Sequence, residues 1–180
     1  MNMSSEFIPF KEEDIKDYFS RHRKNIFKNL KKDIDENEIE KVLEKENIKK
    51  FEIFEDQISQ EVRGGDLLIF VPYIGEEYLL KKQPNIYSSY IPSIAIKMGG
   101  QPQELIFRIP EFEKESTNYI KDMINKNISS IKQYFTKINE EIDEHKKTLK
   151  DMLHSEMKKY QESLKLREDK LKELGIPERK

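Results

Sequence analysis

Histidines are the side chains in this sequence best suited to bind a metal or move a proton near neutral pH. There are three of them, His22, His145 and His154. Glu141 precedes His145 by four residues, so on a helix the two side chains could share a face as metal ligands. Such a pair arises often by chance in a chain of which 38% is charged. The sequence therefore predicts no metal site. His145 also falls at a heptad position, where a buried polar residue could set the register of paired helices, but a solvated position at a helix break is the favoured interpretation.

Nucleophilic and phosphate chemistry have equally little support in the residue pattern. The chain has no cysteine, which excludes disulfides, thiolate nucleophiles and thiolate metal ligands. Arg63-Gly64-Gly65-Asp66 is rich in glycine, but a strand rather than a helix should follow it, so it predicts a hairpin turn and not a phosphate cradle. No serine has a histidine in a recognisable catalytic arrangement. We therefore expect a protein that is not an enzyme and uses no cofactor.

The tyrosine-rich connection Pro72–Pro92 is the best candidate for a protein-binding surface. Tyrosine rings combine a large apolar area with a hydrogen-bonding tip, which suits contact with a partner. A long connection without regular structure is also uncommon unless it has a function. The alternative, that these rings cover the predicted sheet or the start of the long C-terminal helix, is slightly favoured. The predicted partner-binding residues are Tyr73, Tyr78, Tyr87 and Tyr90.

A row of cations on the first predicted helix could contact phosphates. No aromatic side chain is interleaved with them to stack on bases, and the chain has a net charge of -2. A solvated outer face is therefore favoured, and nucleic-acid binding remains the alternative function. The cations are Arg21, Lys24, Lys28, Lys31 and Lys32.

The stretch from Ser116 to Leu174 should form a long helix that organises the chain. It lacks Gly and Pro, and apolar residues recur in it at steps of four and three. This heptad pattern is typical of a helix that packs against another helix. The helix could pack on the rest of the chain, or it could pair with the same helix of a second copy. The predicted oligomer interface consists of Ile124, Ile131, Phe135, Ile138, Ile142 and Leu149.

Two features predict a break in this arm. Leu149, Leu153 and Met157 follow one another at two successive steps of four, which rotates the apolar stripe. The stretch 144–150 is also very polar. We therefore expect two helices, over about 116–146 and 150–174, with Gly175 ending the second. The predicted division is an α+β head over residues 1–112 and a helical arm over residues 113–180.

Preceding the arm, the pattern predicts two helices and then strands. A helix should begin near Asp14 and fade near Asp33, and a second should run from Asp35 to Asn47. The pattern then predicts an interrupted strand over 51–62 and a central strand at Leu67–Val71. It also predicts two strands of alternating apolar residues, over 94–98 and 105–109. The predicted fold class is α+β, with N-terminal helices on a small antiparallel sheet of about four strands, followed by a long C-terminal helical arm or hairpin.

Composition indicates a cytoplasmic protein that binds no membrane. Basic and acidic residues nearly balance, at 33 and 35, so the chain as a whole has no reason to seek a polyanion. No apolar run approaches the roughly 20 residues that span a bilayer, and the N-terminus lacks a signal-peptide pattern. We expect a protein partner, most simply a second copy of the chain.

Four fragments resemble, in order and spacing, the N-terminal region of uncharacterised bacterial proteins that often carry a restriction-endonuclease-like domain further along. In that group the Leu-Gly-aliphatic-Pro step closes the helical region before a linker, so the chain is expected to be the front part of a longer protein. The nuclease motif, Asp followed at a distance by Glu-x-Lys, has no counterpart here. The resemblance therefore implies a sensor, adaptor or oligomerisation module, in bacterial defence against phage, and no catalytic role. The fragments are Val71-Pro72-Tyr73-Ile74-Gly75, Gln83-Pro84, Ile131-Lys132-Gln133-Tyr134 and Leu174-Gly175-Ile176-Pro177.

Overall fold

The computed structural model describes residues 13–30, 34–84, 94–96 and 103–175, with the backbone alone at 94–96. Within these ranges it has N-terminal helices, an antiparallel sheet and a long C-terminal helix, which confirms the predicted fold class. The helices are α1 Ile15–Lys28, α2 Glu36–Lys45 and α3 Thr117–Leu174. The strands are β1 Glu52–Ile53, β2 Ser59–Arg63, β3 Asp66–Ile74, β4 Ile94–Ile96 and β5 Gln103–Ile109.

Strand β3 is the centre of the sheet. It pairs antiparallel with β5 on one side and with both β1 and β2 on the other, and β4 pairs with the far side of β5. A short 3-10 turn separates β1 from β2, so the predicted interrupted strand is confirmed. The strand β3 runs further than predicted, through Pro72 to Ile74. Proline has no N–H to donate, but the Pro72 carbonyl accepts a hydrogen bond from the Phe54 N–H at 2.9 Å.

Three helix boundaries lie where the sequence predicts them. Asp35 accepts a hydrogen bond from the Glu38 N–H at 2.8 Å and begins α2. Ser116 accepts one from the Tyr119 N–H at 3.2 Å and begins α3. Gly175 ends α3 with a φ of 61°, a left-handed conformation that glycine adopts without a steric penalty. Local pattern was therefore sufficient to place these boundaries.

The predicted break near residues 146–150 is wrong, because α3 is one helix of 58 residues. Two successive steps of four rotate an apolar stripe, but they break no backbone hydrogen bond. The segment also lacks the Gly or Pro that usually causes a kink. The stripe instead changes surroundings: Ile142 belongs to one apolar cluster and Leu149 to another.

The chain divides into two compact units, and the division differs from the predicted head and arm. Unit 1 comprises residues 1–20 and 48–142, and unit 2 comprises residues 21–47 and 143–180. Helices α1 and α3 each contribute residues to both units. The reason is that an amphipathic helix buries its apolar stripe wherever that stripe finds cover, which a cut at residue 112 ignores.

Unit 1 packs the sheet, the start of α1 and the first part of α3 around one apolar core. Phe135 of α3 lies at its centre, with ring centroids 4.8 Å from Phe51 and 5.8 Å from Tyr73. Asn139, one turn along α3, holds the backbone of Phe51 at both ends: its Oδ1 accepts from the Phe51 N–H at 2.7 Å, and its Nδ2 donates to the Phe51 carbonyl at 2.9 Å. This pair of bonds ties the chain entering β1 to the helix.

Unit 2 has a smaller apolar core. Ile34, Ile39, Leu149 and Leu153 are buried in it, so α2 packs its apolar face on α3. Side chains of α1, including Ile26 and Phe27, add partly buried cover. Among the helices that the structure describes, none is long and apolar enough to cross a membrane.

Candidate functional site

The residues predicted as an oligomer interface are mostly covered by their own chain. Ile131, Phe135, Ile138 and Ile142 are buried in the unit 1 core, and Leu149 is buried in unit 2. Ile124 is partly buried against the unit 1 core. A second copy could not reach the five buried residues without unfolding this packing. The heptad residues of α3 were expected to pack either on their own chain or on a second copy. As far as Leu153, they pack on their own chain.

Two of the four predicted partner-binding tyrosines fall within the described residues, and they differ. Tyr73 is buried in the unit 1 core, so its assignment to a binding surface is wrong. Burial also raises the pKa of its hydroxyl far above the usual value near 10. Tyr78 is partly exposed and lies against Tyr18, with ring centroids 6.0 Å apart. The predictions at Tyr87 and Tyr90 lie outside the described residues.

The predicted row of cations is partly described. Arg21, Lys24 and Lys28 are exposed and succeed one another at steps of three and four along α1, as one face of a helix requires. Lys31 and Lys32 lie outside the described residues. The structure thus supplies three exposed cations for the alternative nucleic-acid hypothesis.

The heptad stripe continues beyond the unit 2 core onto exposed helix. Met157 still packs against that core, but no residue from 161 to 175 is buried. The leucines at the heptad positions have large exposed fractions, 38% at Leu164, 41% at Leu171 and 64% at Leu174. We call Tyr160, Leu164, Arg167, Leu171 and Leu174 the distal stripe; it is the candidate functional site.

A shallow recess accompanies the distal stripe. It has a volume of about 280 Å³ and is lined by Ser163, Leu166, Arg167, Lys170 and Leu171. The first four succeed one another at the spacing i, i+3, i+4, i+7, which is how four residues of one helix surround a side chain inserted from a facing helix. The geometry therefore suits a second helix better than it suits a small molecule.

Comparisons of the chain with protein-family models, curated proteins and solved structures find no match. The resemblance to the front region of nuclease-linked bacterial proteins remains a prediction. Function must accordingly be argued from the geometry of the two units.

A polar cluster in unit 2 departs from the sequence prediction for His145. Its side chain is only 1% exposed, so the predicted solvated position is wrong. Arg23 approaches it, with Nη1 3.2 Å from the His145 Nδ1. Burial, followed by the charge of Arg23, lowers the pKa of His145 to about 4, and the imidazole is therefore neutral at physiological pH. Glu141, which the sequence places one helical turn before His145, belongs to unit 1, and its Oε1 lies 3.5 Å from the Lys16 Nζ.

Sequence reasoning also missed the neighbours of His145. His22 Nε2 donates to Glu46 Oε2 at 2.7 Å, and the His22 and His145 ring centroids are 5.8 Å apart. His22 lies on α1, Glu46 directly follows α2, and His145 lies on α3. No local spacing could have linked positions 22, 46 and 145, because only the packing of three helices brings them together.

Proposed function

We propose that this chain is a non-enzymatic oligomerisation module in which the distal stripe of α3 pairs with the distal stripe of a second copy. The observation that carries the proposal is the row of exposed leucines at heptad positions, Leu164, Leu171 and Leu174. Apolar residues at heptad spacing are typical of a helix face that a second helix covers.

The stripe is complementary to itself in an antiparallel pair. With the pair centred between residues 164 and 167, Leu174 faces Met157 of the second copy, Leu171 faces Tyr160, and Leu164 faces Arg167. If the centre of the pair is moved one heptad toward the C-terminus, fewer apolar side chains face each other. Residues 157–174 would form about 27 Å of paired helix at 1.5 Å per residue.

Arg167 favours the antiparallel orientation over the parallel one. In a parallel pair, identical positions face each other, and two guanidinium groups would meet in the centre of the interface. In the antiparallel pair each Arg167 faces a leucine, so its methylene stem can cover apolar surface while its charged end stays in water. Beside the stripe, Gln161 of one copy then faces Glu168 of the other, and Ser163 faces Lys170. No like charges face each other.

The dimer is tested by the mass of the full chain in solution, measured by analytical ultracentrifugation. An interface of this length is small, so we expect a reversible monomer–dimer equilibrium with half-association near tens of micromolar, about the range of weak interfaces. The variant Leu164→Glu/Leu171→Glu buries a charge at four places in the dimer and should raise the dissociation constant by at least about 100-fold. Lys165→Glu/Lys172→Glu is the control, because both side chains are exposed and neither belongs to the distal stripe nor lines the recess.

Two results would overturn this function. One is a wild-type chain that stays monomeric at about 100 µM, above the range expected for so small an interface. The other is a control variant, Lys165→Glu/Lys172→Glu, that weakens association as much as the stripe variant does.

Orientation is tested by disulfide trapping, since the chain has no cysteine of its own. An antiparallel pair should join Met157→Cys chains to Leu174→Cys chains when the two variants are mixed under mild oxidation. A parallel pair would instead join Leu174→Cys chains to each other. Efficient trapping of the Leu174→Cys variant alone would therefore disprove the antiparallel arrangement.

The resemblance to nuclease-linked bacterial proteins supplies a cellular context for the same proposal. Dimerisation through α3 would bring two copies of the chain together in a cytoplasmic protein of phage defence.

The competing hypothesis is nucleic-acid binding through α1. Three exposed cations could neutralise about three phosphates, so the affinity for duplex DNA would fall with a log–log salt slope of about -2.7. A low-salt gel shift that is lost in Arg21→Glu/Lys24→Glu/Lys28→Glu would favour that hypothesis.

A further inference from the structure

Two imidazoles and a carboxylate meet in unit 2 in an arrangement typical of a transition-metal site. We call His22, Glu46 and His145 the His–Glu cluster. One ligand atom from each residue lies within 4.8 Å of the other two. A metal ion held at 2.0–2.2 Å by two nitrogens and one oxygen needs those atoms roughly 3–3.5 Å apart, so small side-chain rotations suffice.

We propose that the His–Glu cluster binds a divalent transition metal, with Zn²⁺ as the best-fitting ion, through one ring nitrogen of each histidine and the Glu46 carboxylate. Zinc is bound tetrahedrally by histidine nitrogen and carboxylate oxygen in sites that have two histidines and one glutamate, and these three protein ligands leave the fourth position for water. Magnesium and calcium prefer all-oxygen sites, which this cluster does not offer. The proposal is independent of the pairing of α3.

The cluster has a ready ligand and a route of entry. His145 is buried, and its imidazole can bind a metal ion through a ring nitrogen. The other two ligands face solvent in part, with 34% of the His22 side chain and 19% of the Glu46 side chain exposed. An ion could therefore reach Glu46 and His22 first and complete its coordination at His145.

Arg23 is the group that opposes binding. A guanidinium is always protonated, so its Nη1, 3.2 Å from the His145 Nδ1, donates a hydrogen bond to that nitrogen. This bond occupies one lone pair and places the ring proton on Nε2. A metal ion must therefore displace the guanidinium or shift the proton, and it must do so beside a positive charge. Arg23 is half-buried, and its long side chain can rotate away. We infer that Arg23 lowers the metal affinity of the cluster.

Isothermal titration of the full chain with Zn²⁺, in a buffer that does not chelate, tests the proposal. We expect one ion per chain. His22→Gln and Glu46→Gln should each weaken binding by more than about 100-fold, because even losing an outer-shell partner costs 10- to 100-fold. Arg23→Gln should tighten it by at least about 10-fold, since a cation near the ion is removed. His154→Ala is the matched control and should leave the affinity unchanged.

Co²⁺ gives a second readout of the same ligand set. The visible absorption of Co²⁺ is intense when four ligands surround the ion tetrahedrally and weak in a six-coordinate surface complex. The wild-type chain should therefore give the intense spectrum, and Glu46→Gln should lose it. Tighter binding by Arg23→Gln is informative because a variant that merely unfolds cannot gain affinity. The proposal is overturned if Zn²⁺ does not bind, if His154→Ala abolishes binding, or if His22→Gln and Glu46→Gln bind as the wild type does.

Discussion

Asn139 offers the sharpest test of how α3 holds the sheet of unit 1. Its amide makes two hydrogen bonds to the backbone of Phe51, at 2.7 and 2.9 Å. Asn139→Ala removes both partners from a residue that is 4% exposed. A hydrogen bond contributes about 1 kcal/mol net, and a buried group left unpaired costs about 1–3 kcal/mol. Because Asn139 itself is only half-buried and water can replace part of the loss, we expect the free energy of unfolding to fall by about 2–3 kcal/mol.

Two measurements check this expectation. Thermal denaturation followed by circular dichroism should show a midpoint lower by about 4–12 °C, at 2–4 °C per kcal/mol for a chain of this size. Amide hydrogen exchange should show a larger loss of protection at Phe51 than at Ile69, which lies in the centre of β3. Gln133→Ala is the control, because Gln133 is exposed on the same helix.

Asn139→Asp separates the two hydrogen bonds. The introduced carboxylate can still accept from the Phe51 N–H, but it faces the Phe51 carbonyl without a proton to donate. This disfavours the charged form in the folded protein, so its pKa should rise above the unfolded value of about 3.9. The variant should therefore be least stable at neutral pH and regain stability as the pH falls through that raised pKa. Equal stability of the wild type, Asn139→Ala and Asn139→Asp at neutral pH would refute the assigned role.

Two further predictions concern a glycine and a histidine. Gly75 has a φ of 145°, and a Cβ there would lie 2.4 Å from the Phe51 ring, whereas Gly64 has a φ of 62° and open space around it. Gly75→Ala should thus destabilise the fold by about 1–3 kcal/mol more than Gly64→Ala in chemical denaturation, and equal losses would contradict the steric argument. A hydrogen bond to the Lys150 carbonyl, and then the nearby Glu36 carboxylate, raise the pKa of His154 above 6.5. The resulting stabilisation is present below pH 6.5 and lost as the pH rises through the folded pKa; in an NMR titration Glu36→Gln should lower that pKa, and an unchanged value would rule out the pair.

Local sequence pattern determined much of this fold. Heptad spacing and capping residues such as Asp35 and Ser116 placed the helices, because helix formation depends on residues three and four apart. Glycines at the β2–β3 turn and alternating apolar residues in β5 placed the strands. These signals depend on neighbours along the chain, which one sequence displays in full.

Tertiary structure alone decided which part of each apolar stripe is covered. Ile138 and Leu164 obey the same heptad rule, but one is buried in unit 1 and the other is exposed. The sequence could not distinguish them, because the period of a stripe says that it needs a partner and not whether the chain itself provides one. The same limit explains why Tyr73 was assigned to a surface and why Ile131 and Leu149 were assigned to an oligomer interface, although both are buried within the chain.

The convergence of His22, Glu46 and His145 was likewise a decision of the tertiary structure. Each residue alone is ordinary, and in sequence the three are separated by 24 and by about 100 residues. A constellation assembled from three helices depends on their packing, and packing depends on the shape of whole apolar faces rather than on any short motif. The amino-acid sequence by itself therefore determined most of the elements and several of their ends, and the packed chain decided which side chains meet and which remain exposed to solvent.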